Sequence, residues 1–248
     1  MVDIHCHILP GFDDGSPDID ESLAMARMAA SSGVTAIVAT PHFPGEAASL
    51  QRLDALVGKY DQLVRAVEQA GLPLKLYPGA EILCLPETPR LAARQALPTI
   101  GNTSYLLAEF YFNESAGYMS QMLDALAEAG YHPVVAHPER YRAVQLDPGL
   151  AEQWFLQGYI LQLNKGSVLG TFGARVQQTA TRILDGGYAH LIASDAHGSV
   201  RRTPHIGALR QWMEGRVEPA YAQVLLERNP ARLVEGRPMV PPDASAGR

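Results

Sequence analysis

Cysteine is nearly missing from this 248-residue chain: Cys6 and Cys84 are the only two, too few for a disulfide framework and suited to a reducing compartment. Long apolar runs are missing as well. No stretch of about 18 apolar residues occurs, and the N-terminus begins with Val2, Asp3 and Ile4 instead of a basic segment followed by an apolar one. Neither a membrane-inserted span nor a signal peptide is read, and a cytoplasmic protein is expected. Positive charge is in deficit. Lysine and arginine number 20 against 26 aspartate and glutamate, a net charge of −6, and the basic residues are scattered. That removes the electrostatic footprint of a nucleic-acid binder. Internal repeats, low-complexity tracts and interdomain linkers are not found either.

What is present is apolar: 47% of the residues are hydrophobic, and a chain this long can bury one large core, within the span of a single α/β barrel of about 200–250 residues. One domain is expected over residues 1–237, followed by a flexible tail over 238–248 (PMVPPDASAGR) with no apolar period. Apolar runs of strand length recur at Val2–Ile4, Val34–Ala39, Pro73–Tyr77, Ser104–Ala108, His132–Ala136, Tyr159–Leu163 and Ala189–Ala193. Helical periods lie between them. Glu21–Ser31 is the clearest, with Asp18 or Asp20 as N-cap and Gly33 past its end. Others fall at Ala48–Ala70, Ala116–Ala129, Asp147–Gln157, Gly173–Asp185, His205–Met213 and Glu218–Glu227. Strands alternating with helices predict parallel βαβ units, and seven of them predict a barrel, with an open doubly wound sheet as the other solution.

All but one of these strands run into a residue that can bind metal. Val2–Ile4 leads to His5 and His7, Val34–Ala39 to His42, Pro73–Tyr77 to Glu81, Ser104–Ala108 to Glu109, His132–Ala136 to His137, and Ala189–Ala193 to Asp195 and His197. The carboxyl ends of parallel strands open on one face, so residues distant in sequence meet there. The His5-x-His7 spacing puts both imidazoles on one side of a strand and turns Cys6 away. Asp14 joins from the Asp13-Asp14-Gly15 turn. Imidazoles and carboxylates without thiolate suit manganese, iron or zinc, and nine donors exceed what one ion needs, so two or three ions are expected. Such ions lower the pKa of water and make hydroxide available at neutral pH.

Arg140 and Arg202 each follow a candidate ligand by a few residues, and arginine grips phosphate with two parallel hydrogen bonds, which favours a phosphoester substrate. Arg201 reads as a solvated loop residue, His132 and His190 as structural residues at strand starts. His205 reads as helix-terminal or as an aid to the leaving group. Asp3 is either a partner of a ligand or a structural carboxylate. Cys84 to Arg90 (CLPETPR) has the Cys-x5-Arg spacing of cysteine-dependent phosphatases, but two prolines, a glutamate and no glycine spoil the backbone cradle such a loop needs. An amidohydrolase is disfavoured, because only Lys165, badly spaced after its strand, is available for a bridging carbamate.

Taken together, Asp3–Gly15, Thr40-Pro-His42, Gly79-Ala-Glu81, Glu109-Phe, Ala136-His-Pro-Glu-Arg-Tyr141 and Ala193-Ser-Asp-Ala-His197 resemble the PHP (polymerase and histidinol phosphatase) superfamily. Within it the resemblance is to the manganese-dependent protein-tyrosine phosphatases of capsular and exopolysaccharide gene clusters. The resemblance implies a distorted (β/α)7, TIM-like barrel with three divalent metal ions on His5, His7, Asp14, His42, Glu81, Glu109, His137, Asp195 and His197. It also implies phosphate binding by Arg140 and Arg202, and a phosphotyrosine protein substrate, the tyrosine-rich tail of a bacterial tyrosine autokinase. Thr203 and Gly198 depart from the family pattern, which reads Pro and Asn there. A PHP enzyme for a small phosphomonoester such as histidinol phosphate, or a non-catalytic phosphotyrosine-binding module, are the alternatives.

Overall fold

The computed structural model describes residues 1–241. Nine strands form: β1 (Val2–Cys6), β2 (Ala36–Ala39), β3 (His42–Pro44), β4 (Lys75–Pro78), β5 (Glu81–Leu83), β6 (Tyr105–Glu109), β7 (His132–Ala136), β8 (Ile160–Asn164) and β9 (Leu191–Ala193). Eleven helices lie between or after them among the described residues: α1 (Ile19–Ser31), α2 (Leu53–Gln69), α3 (Thr88–Ala92), α4 (Ala116–Glu128), α5 (Arg142–Leu146), α6 (Gly149–Leu156), α7 (Lys165–Val168), α8 (Ala174–Asp185), α9 (Gly207–Met213), α10 (Pro219–Gln223) and α11 (Asn229–Val234). None is long and apolar enough to cross a membrane.

All strand pairs are parallel, in the orders β1-β2-β4 and β3-β5-β6-β7-β8-β9. The two sheets are one surface interrupted twice, because β2 continues into β3 across Thr40-Pro41 and β4 into β5 across Gly79-Ala80. Counting each interrupted pair once leaves the seven strand positions that the sequence predicts. The outer edges meet without a regular ladder: Asp195 N–H donates to His5 O (2.9 Å) and His7 N–H to Ala196 O (2.8 Å), around an isolated Cys6–Ala196 bridge.

Alternation sorts the core into two. Val38, Leu107, Val134, Ile160 and Leu191 cluster with Ile4 on one face, and Leu233 and Val234 of α11 join them there. Their neighbours Ile37, Leu106, Val135, Leu161 and Ile192 face the other way, into the larger cluster that holds Met119, Leu123, Trp154 and Ile183 of the helices. Cys6 belongs to that outer layer. β1 carries one residue more than β2 between Asp3 and Cys6. This bulge is why Ile4 and the following His5 both serve the inner side, where strict alternation would have set them on opposite faces.

Asp18 is the N-cap of α1, accepting from Glu21 N–H at 2.9 Å. The helix expected at Ala48–Ala70 starts instead as a 3₁₀ turn, Ala47–Arg52. Its start is tied to α3 by Ala47 N–H donating to Glu87 and Thr88 Oγ1 donating to Gly45 O. The helix expected at Glu218–Glu227 widens into a π turn at Val224–Arg228 and runs on into α11. Pro230 has no N–H to continue the ladder, which fits the widening just before it. Of the tail expected from 238, Pro238 O accepts from Arg232 Nε, and Val240 exchanges two hydrogen bonds with the Asn229 side chain. Residues 242–248 lie outside the described residues.

Candidate metal centre

The donors predicted from the strand ends meet at one rim. His5 and His7 are fully buried, and the protons on their outer nitrogens are pinned. Gln162 Nε2 donates to Leu163 O (2.7 Å), so its Oε1 faces His5 Nδ1 at 2.8 Å and makes that nitrogen the donor. Asp13 Oδ2 lies 2.7 Å from His7 Nδ1 and does the same for His7. The Nε2 atoms, left with lone pairs, face each other at 3.2 Å. Two lone pairs that close repel unless a proton or a metal ion lies between them, and against burial the carboxylates of Glu81 and Asp195, joined at His7 by Asp13, raise the pKa of both rings.

Glu81 sits at the centre. Its Oε2 is 3.2 Å from both Nε2 atoms and 3.1 Å from His42 Nδ1, while Oε1 is 2.9 Å from His137 Nε2. Oε2 is nonetheless buried without a hydrogen-bond partner. The same holds for His197 Nε2, whose ring donates through Nδ1 to Asp195 O (3.1 Å). Asp195 Oδ1 lies 3.6 and 3.5 Å from the His5 and His7 rings, and Glu109 Oε2 is 3.2 Å from His42 Nδ1. Asp14 is two-thirds exposed and places Oδ1 3.5 Å from both His42 and His197. Three overlapping groups have metal-binding spacing: His5, His7 and Glu81; His7, Asp14, His42 and His197; and His42, Glu81 and Glu109. His7, His42 and Glu81 are each shared by two of them. His137 and Asp195 flank these groups. Buried acceptors without donors, converging imidazoles and central carboxylates fit divalent cations.

The electrostatics agree. Burial alone would neutralise His42, but the Glu109 and Glu81 carboxylates beside it lift it to about 10. Burial, with the charge on His7, pushes His197 down to about 3. Against burial, the surrounding imidazoles hold the Glu81 carboxyl well below the usual range, and the imidazoles with Arg202 do so for Asp195. Protons on histidine balance the carboxylates, a place that metal ions take when ligands deprotonate. Backbone strain collects here too: His137 (φ 34°), Asp195 (φ 48°) and Arg202 (φ 47°) are all left-handed, at a cost of about 1–3 kcal/mol each.

Both arginines lie beside the donors and share Asp195 Oδ2, with Arg140 Nη1 at 3.3 Å and Arg202 Nη2 at 2.5 Å. Arg140 is stacked between Phe112 (4.4 Å) and Phe172 (4.6 Å), which fixes the plane of its fork. The loop carrying Arg202 is held by Lys165 Nζ, which donates to Thr203 O and His205 O, and by Glu21, which accepts from Ser199 N–H and Oγ. Lys165 is thereby engaged away from the donors. Asp3 Oδ1 accepts from Ser194 N–H at 2.9 Å and anchors the end of β9. His205 is exposed and accepts from Gly207 N–H, His132 and Arg201 are exposed, and His190 is buried among apolar neighbours. Cys84 is buried with Arg90 exposed beyond it, and no anion cradle forms between them.

Sequence reasoning missed the residues that orient the donors. Asp13 accepts from His7, from His42 N–H (2.8 Å) and from Gly15 N–H (3.0 Å), and a Cβ on Gly15 would fall 2.1 Å from His7 O. Gln162 and Asn164, which donates to Asp195, both lie on β8, the one strand that ends on no metal donor. Two amides at i and i+2 of a buried strand were the visible signal.

The profile of the family described as "Capsular polysaccharide synthesis, CpsB/CapC" matches residues 1–235. This chain belongs to the CpsB/CapC family. It is similar to the tyrosine-protein phosphatase YwqE of Bacillus subtilis (strain 168), 36% identical over 210 residues that cover 83% of this chain and 80% of YwqE. The tyrosine-protein phosphatase CpsB of Streptococcus pneumoniae is 25% identical over 94% of this chain and 98% of CpsB. A solved structure from the set of YwqE of Bacillus subtilis and CpsB of Streptococcus pneumoniae, described as unique metal-dependent tyrosine phosphatases, matches with a TM-score of 0.87. It is 32% identical and covers 98% of both chains. The resemblance read from the sequence motifs is thus borne out at the level of the CpsB/CapC family and its fold.

Proposed function

We propose that this CpsB/CapC protein is a metal-dependent protein-tyrosine phosphatase whose ions are held by His5, His7, Asp14, His42, Glu81, Glu109, His137, Asp195 and His197. The observation that carries the reading is the convergence of two buried Nε2 atoms, 3.2 Å apart, on a buried Glu81 oxygen that has no hydrogen-bond partner, a place where a divalent cation can stand in for protons. Three ions, manganese in the first instance with iron or zinc as alternatives, are proposed. When bound, they supply the charge that lowers the pKa of water and offsets the charge on the transferring phosphoryl group.

The chain's own residues do the rest. Asp13 and Gln162 keep protons on the outer ring nitrogens of His7 and His5. Arg140 and Arg202 now converge on one carboxylate oxygen, so their donors are aimed at a common point where phosphate oxygens would take up the same bonds. Phe112 and Phe172 cover the Arg140 guanidinium and strengthen those bonds by keeping water off. No cysteine takes part, and no covalent phosphoenzyme forms.

The substrate in this reading is a phosphotyrosine protein, the tyrosine-rich tail of a bacterial autokinase controlling polysaccharide export. A cytoplasmic site of action belongs to the same proposal. It is supported by the capsular family and by the relatives' names. Elemental analysis of purified protein, with phosphate release from a phosphotyrosine peptide, tests it. Release should stop with chelator and return with manganese. A kcat/KM higher for histidinol phosphate than for the peptide would move the assignment to small phosphomonoesters. Peptide binding without release would make the protein a binding module.

A further inference from the structure

After Glu109, at the end of β6, the chain turns through Phe110, Tyr111 and Phe112. The turn is fastened on both sides of Tyr111. Phe110 is buried and its N–H donates to Tyr141 Oη (3.2 Å), while Phe112 O accepts from Arg142 N–H (2.8 Å). Even so, Tyr111 and Phe112 are 59% and 42% exposed. A rigid turn that holds two aromatic rings in water, at the rim of a metal centre, leaves apolar area available for a ligand. Phe112 has a local role under Arg140. Among the described residues no aromatic ring or cation packs on Tyr111, so no contact of that kind accounts for it.

These rings, with Phe110, Pro44 and Leu83, enclose a cleft of 270 Å³ whose remaining walls are His42 and Glu109. An apolar, aromatic slot therefore opens directly onto two of the proposed ligands. The groove on the Arg202 side differs in charge, because Lys165, Arg201, Arg202 and His205 stand among its apolar lining residues Leu169, Phe172 and Val200, whereas no lysine or arginine lines the Tyr111 cleft. We infer that the Tyr111 cleft receives the aryl ring of the phosphoester, and that Tyr111 is a specificity-determining residue for aryl over alkyl phosphates. This rests on the phosphatase reading above. A phosphotyrosine reaches the metal centre through its ring, which can lie against Tyr111 in the offset or edge-on contact that aromatic pairs favour. A phosphoserine has one methylene and fills none of the slot.

The test uses full-length, manganese-loaded protein and two peptides of one sequence carrying phosphotyrosine or phosphoserine. The ratio of their kcat/KM values is compared among the unaltered protein, Tyr111→Ala and Tyr111→Phe, so the differing reactivity of the two esters cancels. Tyr111→Ala should lower the phosphotyrosine-to-phosphoserine ratio about tenfold, mainly through KM, and Tyr111→Phe should retain it. Where phosphoserine turnover is too slow to measure, inhibition constants for phenylphosphonate and methylphosphonate give the same ratio. Because Tyr111 is largely exposed, its truncation opens no core cavity. An unchanged ratio in Tyr111→Ala, or equal losses on both substrates, overturns the subsite. Release from neither peptide by the unaltered protein overturns the phosphatase reading itself. Equal turnover of both removes the subsite and leaves that reading standing.

Discussion

Replacing Asp13 by alanine is expected to weaken divalent-metal binding about ten- to a hundredfold, or about 1.4–2.7 kcal/mol. One carboxylate holds three groups: His7 Nδ1 at 2.7 Å, His42 N–H at 2.8 Å and Gly15 N–H at 3.0 Å. Loss of the tautomer preference alone would matter little, since a His7 ring free to choose leaves about half its population with the lone pair correctly placed, a roughly twofold effect. The larger share comes from orientation and basicity. Without Asp13 the His7 ring can turn, its Nε2 loses the electron density that a hydrogen-bonded carboxylate lends, and the turn bearing Asp14 loses its tie to His42. Asp13→Asn keeps the shape and an acceptor while removing the charge, so it should fall between alanine and the unaltered protein. Competition with a chelator of known manganese affinity reads the effect. Asp61→Ala, on an exposed position of α2, supplies the baseline. An Asp13→Ala protein that binds manganese as tightly as the Asp61→Ala control would refute the argument.

Cys84 is buried, and burial pushes its thiol far above the range where a thiolate forms. Cys84→Ser should therefore keep phosphate release within about twofold, and a large loss in that variant would restore the cysteine mechanism. Arg202→Lys keeps the charge but not the planar fork, so KM for a phosphotyrosine peptide should rise about tenfold or more, and steady-state kinetics showing no change would remove Arg202 from phosphate binding. His190 is held down to about 4 by burial against an ordinary value of 6.5. The unfolded chain therefore takes up a proton that the native state refuses. Stability from this residue is full above pH 6.5 and falls by about 3 kcal/mol as the pH drops to 4. Urea unfolding of His190→Asn should lack that part of the slope, and identical slopes in the two proteins would contradict it.

The candidate donors were legible because all but Asp14 follow an apolar run by one to four residues, and parallel strands bring such positions to one rim. Asp14 and Glu81 needed more help, one standing in a turn and the other beyond the break at Gly79-Ala80 that divides β4 from β5. The two arginines were legible through their spacing from His137 and His197. What stayed hidden acts across the chain: Asp13 on His42, Gln162 on His5, Lys165 under Thr203, Phe112 and Phe172 around Arg140.

By itself, the sequence determined the parallel α/β order and the set of candidate donors, because a strand's period and the residue at its end are local properties of the chain. Tertiary structure alone decided which nitrogen of His5, His7 and His197 meets a hydrogen-bond acceptor, and that both arginines aim at one point beside Asp195. It also decided that a bulge in β1 turns His5 inward. Those outcomes depend on which distant side chain arrives within hydrogen-bonding distance, and no local pattern encodes that.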